Sequence, residues 1–289
     1  MSPRSVTAGK FSLTDIFDDN AYSHDARTQF MNWALWSGAA WDYAADTRGY
    51  DWGVAVELHR SAIDLRCAAV MVPTYANGPF FDHDIGRAYS LNVEAAPRYA
   101  IGGLEGRVHL IGFLNHASMG NYRDALALGA AAGTTPDVDA THRYSSKPGF
   151  VLSVEQALGG SAGLFSRFSW SDGRTETWAF TEIDRSFQVG LALGGAAWHR
   201  GEDNAGIAWV INGLSGDHRD YIAAGGYGFI IGDGALHYAP EQVIECYYAA
   251  SLVPWFTLTA DDQLVINPAY NRDRGPLVHV YGVRAHVEL

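Results

Sequence analysis

Apolar and polar residues alternate along much of this chain with a period of two. The last segment has one apolar and one polar set of alternate positions: Tyr281, Val283, Ala285, Val287 and Leu289 against Gly282, Arg284, His286 and Glu288. Such alternation predicts a β-strand with one apolar and one polar side. It predicts roughly 12–14 strands in all. The clearest of the others lie near 51–59, 63–71, 106–115, 150–158, 162–170, 187–197, 205–212, 243–252 and 254–266.

The length of these strands separates two classes of all-β protein. Strands of soluble proteins average about 5–6 residues, whereas about 9–11 residues are needed to cross a bilayer at a tilt. The polar sides here carry Arg, Glu and His, and the apolar sides include Ala and Gly as well as Leu. We therefore predict a transmembrane antiparallel β-barrel with lipid outside and water inside. A large soluble β-protein remains the alternative.

The connections between these strands differ in length. Short turns are predicted at 59–61 and 159–161, where Gly or polar residues separate two alternating segments. Six connections are much longer, at 14–50, 73–92, 116–148, 171–186, 213–240 and 267–276. Single-chain barrels have short periplasmic turns and long extracellular loops, so this asymmetry supports the barrel. A short helix is predicted within one long connection, at Tyr122–Ala132.

Composition narrows the possible functions. A chain with 48% hydrophobic and 18% charged residues folds rather than staying disordered. Its 20 basic and 32 acidic residues give a net charge of −12, which argues against a nucleic-acid partner. With 2 cysteines and no paired Cys/His spacing, neither a disulfide framework nor a zinc motif is predicted. No apolar run is long enough for a transmembrane helix, and the N-terminal residues contain no signal peptide.

Two motifs that suggest chemistry are better explained by structure. The run 159–163 matches the pattern of a nucleophile elbow, but that motif requires a following helix and here a second strand follows. The run 82–84 reads Asp-His-Asp, yet three consecutive residues cannot all face one ion, so we interpret it as a solvated loop. We therefore predict neither a catalytic residue, nor a metal site, nor a cofactor.

The stretch 172–186 is dense in residues that can bind sugars. Guanidinium and carboxylate groups can form several hydrogen bonds with hydroxyl groups, and an indole ring can pack on sugar C–H groups. The candidates here are Arg174, Glu176, Trp178 and Arg185. A loop that is held together by its own ion pairs would have the same composition, so that alternative stays open.

Five runs together resemble the carbohydrate-selective porins, the OprB-type glucose porins of the Gram-negative outer membrane. They occur in the family's order and lie at 23–33, 41–50, 172–186, 213–219 and 267–276. The likeness extends over about residues 6–289, and we expect it to correspond to the C-terminal two thirds of a family member. Arg27 and Arg48 belong to the first two of these runs.

The resemblance implies a 16-stranded, water-filled barrel that is narrowed by inward-folded loops. Residues 1–289 would then be a single porin domain without its N-terminal strands and signal peptide, ending in Leu289 where the family usually ends in Phe. The implied partners are carbohydrate solutes, outer-membrane lipid and the barrel-assembly machinery, with no cofactor. The expected pathway residues are Arg27, Arg48, Arg174, Glu176, Trp178 and Arg185.

Two alternatives to the porin interpretation stay open. One is a soluble β-rich sugar-binding protein or hydrolase, for which Glu176 and Glu182 would have to serve as the two carboxylates. The other is a non-functional truncated barrel, because a barrel that lacks strands leaves backbone groups unsatisfied in lipid. In that case a misplaced gene start or a remnant gene is expected.

Overall fold

The computed structural model describes residues 3–179 and 181–288. In these residues twelve strands form one antiparallel sheet, and each strand pairs with its neighbours in chain order from first to last. Leu289, predicted on the apolar side of the last strand, and Phe180, within the dense stretch 172–186, lie outside the described residues. The all-β class and the number of strands agree with the sequence-based expectation.

The strands are β1 Arg4–Phe11, β2 Asp51–His59, β3 Ile63–Val70, β4 Tyr89–Ile101, β5 Leu104–Met119, β6 Arg143–Gly159, β7 Ala162–Ser171, β8 Arg185–Gly194, β9 Asn204–Gly213, β10 Glu241–Val253, β11 Phe256–Ile266 and β12 Leu277–Val287. The described part of the chain also contains three α-helices, namely α1 Trp33–Trp36, α2 Tyr122–Ala132 and α3 Gly216–Ala223. Helix α2 begins and ends where the sequence predicted it. No helix among the described residues is both long and apolar enough to cross a membrane.

Ten of the twelve strands lie at predicted positions, and β1 and β4 were missed. In β4 the apolar set is interrupted by small residues and Pro97, which weakens the period-two signal. Its turn to β5 is formed by Gly102 and Gly103, which adopt positive φ angles of 61° and 82°. A two-residue hairpin with both φ angles positive strongly favours glycine. The Gly102–Gly103 pair was therefore the sequence feature that could have predicted a hairpin, and with it β4.

The two faces of the sheet are assigned as the alternation predicted. Side chains of the apolar set are exposed, as for Leu65 at 42% and Leu152 at 38%. Their polar neighbours Arg66 and Glu155 are buried at 5% and 7%. We call the apolar, exposed side the outer face and the polar, buried side the inner face. Such an inverted distribution is the one expected when lipid surrounds a polar interior.

Long and short connections lie at opposite ends of the sheet. Among the described residues, the hairpins β2–β3, β4–β5, β6–β7 and β10–β11 close with short turns, β8 and β9 are joined by residues 195–203, and the six alternate connections are longer. The connection between β5 and β6 is shorter than predicted, because β5 extends to Met119 and β6 begins at Arg143. The end that bears the long connections is called the mouth below.

The connection 12–50, called the inward segment below, packs on the inner face. Phe30 lies 5.5 Å from the ring of Phe165 and 5.0 Å from the ring of Tyr247, measured between ring centroids. The segment receives hydrogen bonds from Arg66 on β3 and from Arg284 on β12. These strands would lie about 43 Å apart in a flat sheet, whereas the segment residues that they reach, 19 and 26, are at most about 25 Å apart. The sheet therefore curves around the inward segment.

Candidate permeation pathway

A buried ion pair anchors the first half of the inward segment. The carboxylate of Asp18 accepts hydrogen bonds from Arg167 Nε at 3.0 Å and from the backbone N–H of Gly38 at 2.8 Å. Arg167 also donates to the carbonyl oxygen of Leu35 at 2.8 Å. Both charged side chains are fully buried. Since one carboxylate and one guanidinium hold residues 18, 35 and 38 together, they fix the path of the segment inside the sheet.

A second cluster of charges lies next to the first on the inner face. Asp19 is bound by both terminal nitrogens of Arg66, at 3.0 and 2.8 Å, and by Arg107 at 3.2 Å. Arg66 also donates to Glu94 at 2.9 Å, and Glu94 lies 2.7 Å from Nδ1 of His109. We call Asp19, Glu94 and His109 the luminal triad. Arg66 and Arg107 pair with its carboxylates, so the acidic groups of the luminal triad already have counter-ions.

The second half of the segment is held at its backbone. Glu245 on β10 accepts from the N–H of Asn32 at 2.9 Å, and Arg284 on β12 donates to the carbonyl oxygen of Gln29 at 2.9 Å. Further along, Asp42 pairs with the buried Lys147 at 3.0 Å. The segment is thus tied to strands on both sides of the curved sheet. An open cavity lies beside the inward segment.

One cavity of about 580 Å³ follows the inward segment along its side facing β12. It extends from Arg48 and Tyr50, near the mouth end of β2, to Arg284 and His286 in the last third of β12. We call it the arginine cavity. Its lining combines cationic, aromatic and acidic side chains, including Arg27, Arg48, Arg284, Trp33, Trp36, Tyr43, Tyr50, Asp15 and Asp25.

Two residues predicted from the sequence, Arg27 and Arg48, lie in this cavity. Their side chains are 78% and 72% exposed, with the nearest carboxylates at 3.2 Å (Asp25) and 4.0 Å (Asp46). The structure adds Arg284, which was predicted on the polar side of its strand but not as a pathway residue. The alternation of the last strand puts Arg284 on its polar side, and this feature of the sequence could have identified Arg284 as a residue of the interior.

Trp178, which was expected to contact the solute, lies outside the arginine cavity. It is fully buried. Its indole N–H donates to the carbonyl oxygen of Pro73 at 3.2 Å, and its backbone N–H donates to Asp42 at 2.8 Å. Trp178 therefore joins a mouth connection to the inward segment and has no surface that a sugar could reach.

The remaining candidates are separated from the arginine cavity. Arg174 is exposed at the mouth, 3.6 Å from Asp172, which matches the alternative of a loop with its own ion pairs. Arg185 is exposed at the start of β8, in phase with the outer-face residue Phe187, while Ser186 is buried. Alternation therefore places Arg185 on the outer face and not in the interior. Glu176 lies inside the mouth.

A second cavity, of about 900 Å³, lies at the mouth and is called the acidic cavity here. Four long connections line it with aromatic and acidic side chains, including Tyr75, Tyr221, Tyr227, Phe229, Asp137, Asp139, Glu176 and Glu182. Burial raises the pKa of Glu182, whose carboxylate accepts the N–H groups of Ile230 and Ile231, both at 2.8 Å. A hydrogen bond with Glu176 raises the pKa of His142 in the same cavity.

An apolar outer face, a polar inner face and a long connection folded onto that inner face define an outer-membrane porin. A sequence model of the carbohydrate-selective porin, OprB family, matches residues 4–289, and the chain belongs to this family. The matched residues agree with the likeness expected from the sequence, which extended over about residues 6–289. A search of curated protein sequences found no match.

Solved structures agree on the fold. OprB of Pseudomonas putida is 20% identical, covers 99% of this chain over 69% of its own length and superposes with a TM-score of 0.74. OccK5 (OpdH) of Pseudomonas aeruginosa is 8% identical, covers 99% of this chain over 68% of its own and gives a TM-score of 0.52. Because the chain belongs to the carbohydrate-selective porin family, it is an outer-membrane channel for the passage of carbohydrate solutes. The alternative of a soluble sugar-binding protein or hydrolase is therefore wrong.

Proposed function

We propose that sugars cross this porin through the arginine cavity and bind weakly to Arg27, Arg48 and Arg284 on the way. The observation that carries the proposal is the convergence of three guanidinium groups and several aromatic rings on one open space beside the inward segment. The chain brings these groups together from three places, namely residue 27, residue 48 and β12.

The chemistry of the lining suits a neutral polyhydroxylated solute. The exposed guanidinium groups of Arg27 and Arg48 offer several N–H donors that can replace the water a sugar hydroxyl gives up. Trp33 and Trp36 lie with ring centroids 4.7 Å apart and supply flat apolar surfaces for sugar C–H groups. Because Arg27 and Arg48 are largely exposed, their hydrogen bonds compete with water and hold a solute only briefly. Conduction requires such weak binding, since a tight site would block its own pore.

The proposal extends to lipid and to the assembly machinery. Large apolar side chains such as Phe150, Leu152 and Val283 are exposed on the outer face, which supports direct contact with outer-membrane lipid. Since an outer-membrane barrel must be folded into its bilayer, we expect the barrel-assembly machinery to be its folding partner. Both partners are inferred from the outer face and from the family.

The test measures the block of ion current by glucose in planar bilayers that contain the full chain. Arg48→Ala and Arg27→Ala should each weaken the block, by about 1–3 kcal/mol where a charged hydrogen bond is lost. Arg174→Ala is the matched control, because Arg174 is an equally exposed arginine outside the arginine cavity. Equal block in all three variants and in the parent protein would contradict the proposed route.

A further inference from the structure

One histidine and two carboxylates converge inside the acidic cavity. Nε2 of His142 lies 2.7 Å from Oε1 of Glu176 and 3.6 Å from Oδ1 of Asp139. The three ligand atoms all lie within 4.8 Å of one another. Asp139 and His142 belong to the β5–β6 connection and Glu176 to the β7–β8 connection. We call these residues the mouth triad.

The backbone fixes the mouth triad from both connections. Glu176 accepts the N–H of Gly120 at 2.7 Å and donates its own N–H to the carbonyl oxygen of Gly120 at 3.0 Å. The Thr141 hydroxyl accepts the N–H of Asn121 at 2.8 Å and donates to the carbonyl oxygen of Val138 at 2.7 Å. The turn that carries Asp139 and His142 is therefore tied to the same point of the chain as Glu176.

The mouth triad differs from the luminal triad in its counter-ions. Arg66 and Arg107 bind the carboxylates of the luminal triad, so a cation there would meet groups that are already neutralised. Within residues 3–179 and 181–288, neither Asp139 nor Glu176 forms an ion pair with an arginine or lysine. Asp137 and Glu182 line the same cavity and add negative potential.

We propose that the mouth triad binds a divalent transition-metal ion of the Zn²⁺ type. Zn²⁺ takes imidazole nitrogen and carboxylate oxygen ligands at about 2.0–2.2 Å, so tetrahedral ligand atoms lie about 3.3 Å apart. The observed separations of 2.7 and 3.6 Å bracket that spacing. Nε2 of His142 is the ring nitrogen that faces both carboxylates, and in the neutral imidazole its lone pair can bind a metal.

A metal at this place ties two connections together at the solute entrance. Three protein ligands leave one tetrahedral position open toward the acidic cavity, which water can occupy. The bound ion also replaces negative charge by positive charge at the entrance. We therefore expect Zn²⁺ to lower the single-channel current from the mouth side.

The experiment titrates ZnCl₂ alone into the untagged, detergent-solubilised full chain by calorimetry. We expect one ion per chain with micromolar affinity, weakened at least tenfold in His142→Ala and in Asp139→Asn. Asp139 is largely exposed, so its variant tests the site without disturbing packing. His237→Ala is the control, because His237 pairs with the single carboxylate of Asp273 at 2.8 Å in other mouth connections.

A second readout uses Co²⁺ in place of Zn²⁺. Intense visible absorption of tetrahedral Co²⁺ should appear in the parent protein and in His237→Ala, and be lost in His142→Ala. A heat-modifiability gel shows that each variant is folded. No Zn²⁺ binding by the parent protein, or unchanged binding in His142→Ala, would overturn the proposal. Because sugar is absent from these titrations, they do not depend on the proposed sugar route.

Discussion

The arginine cavity and the acidic cavity lie in the same interior and have opposite character. Both are lined by aromatic side chains, but the first combines three arginines with two aspartates, whereas the second is lined by the carboxyl groups of Asp137, Asp139, Glu176 and Glu182. The net charge of −12 predicts neither of them. The two cavities therefore surround a solute with different sets of charged groups.

The luminal and mouth triads are two smaller clusters that also differ in the charged groups around them. Each combines one histidine with two carboxylates, yet only the luminal triad receives arginines, from β3 and β5. Those arginines come from inner-face positions of strands, where every second side chain must point inward. The mouth triad lies on connections, where no such alternation supplies counter-ions. The position in the fold, more than the residue types, therefore decides whether a cluster is closed by ion pairs or left open to a ligand.

The largest expected effect comes from releasing the inward segment, which lines the arginine cavity. Asp18→Ala leaves the buried Arg167 without its partner, which should lower the free energy of unfolding by about 3–5 kcal/mol. Urea unfolding followed by gel mobility measures this change. Arg123→Ala, which removes the exposed pair with Asp217 at the mouth, should change stability little. Similar losses in both variants would show that the ion pair of Asp18 and Arg167 is not the main anchor of the inward segment.

A smaller effect is expected where Trp178 links the mouth to the inward segment. Trp178→Phe keeps an aromatic ring but leaves the carbonyl oxygen of Pro73 without its donor, so we expect a loss of about 1–3 kcal/mol in stability. The glucose block of the current should stay unchanged in this variant. A weakened block without loss of stability would restore Trp178 to the solute pathway.

Charge changes at the two cavities should shift ion preference in opposite directions. Arg48→Gln should raise the cation-to-anion permeability ratio, and Asp137→Asn should lower it. Each effect should be about fivefold or less, because one exposed charge at about 4 Å contributes about 1 kcal/mol in water. Reversal potentials in a salt gradient measure the ratio. Shifts in the same direction would mean that the cavities do not act as separate fields.

The smallest effect is expected at the end opposite the mouth. Hydrogen bonds from Arg200 and then Tyr248 lower the pKa of Asp203 from 3.8 to about 2. A depressed carboxyl pKa contributes stability above pH 4 and loses it as the pH falls from about 4 to about 2. The melting temperature of the parent protein should therefore fall more steeply over this range than that of Asp203→Asn. The glucose block at pH 5 should be equal in both, since Asp203 lies outside both cavities.

Much of the fold could be predicted because period-two alternation is a local property. It assigned Leu152 outward and Glu155 inward and located ten strands, and a compact run of helix-forming residues predicted α2. It also contained the information that Arg185 shares the outer face with Phe187. The two missed strands have an interrupted apolar set, by Arg4 and Lys10 in β1 and by Ala95 and Pro97 in β4. Most strand positions and both faces of the sheet could therefore be predicted from the sequence.

The sequence by itself determined the class of protein, the faces of its strands and the unequal ends of the sheet, because each depends on neighbours within a few residues. Only the tertiary structure decided which groups line a path. Asp18 meets Arg167 across 149 positions of sequence, and Trp178 meets Asp42 across 136. No local pattern encodes such pairs. They form because a curved sheet with a polar inner face must satisfy its buried charges, and the inward segment is the part of the chain that satisfies them.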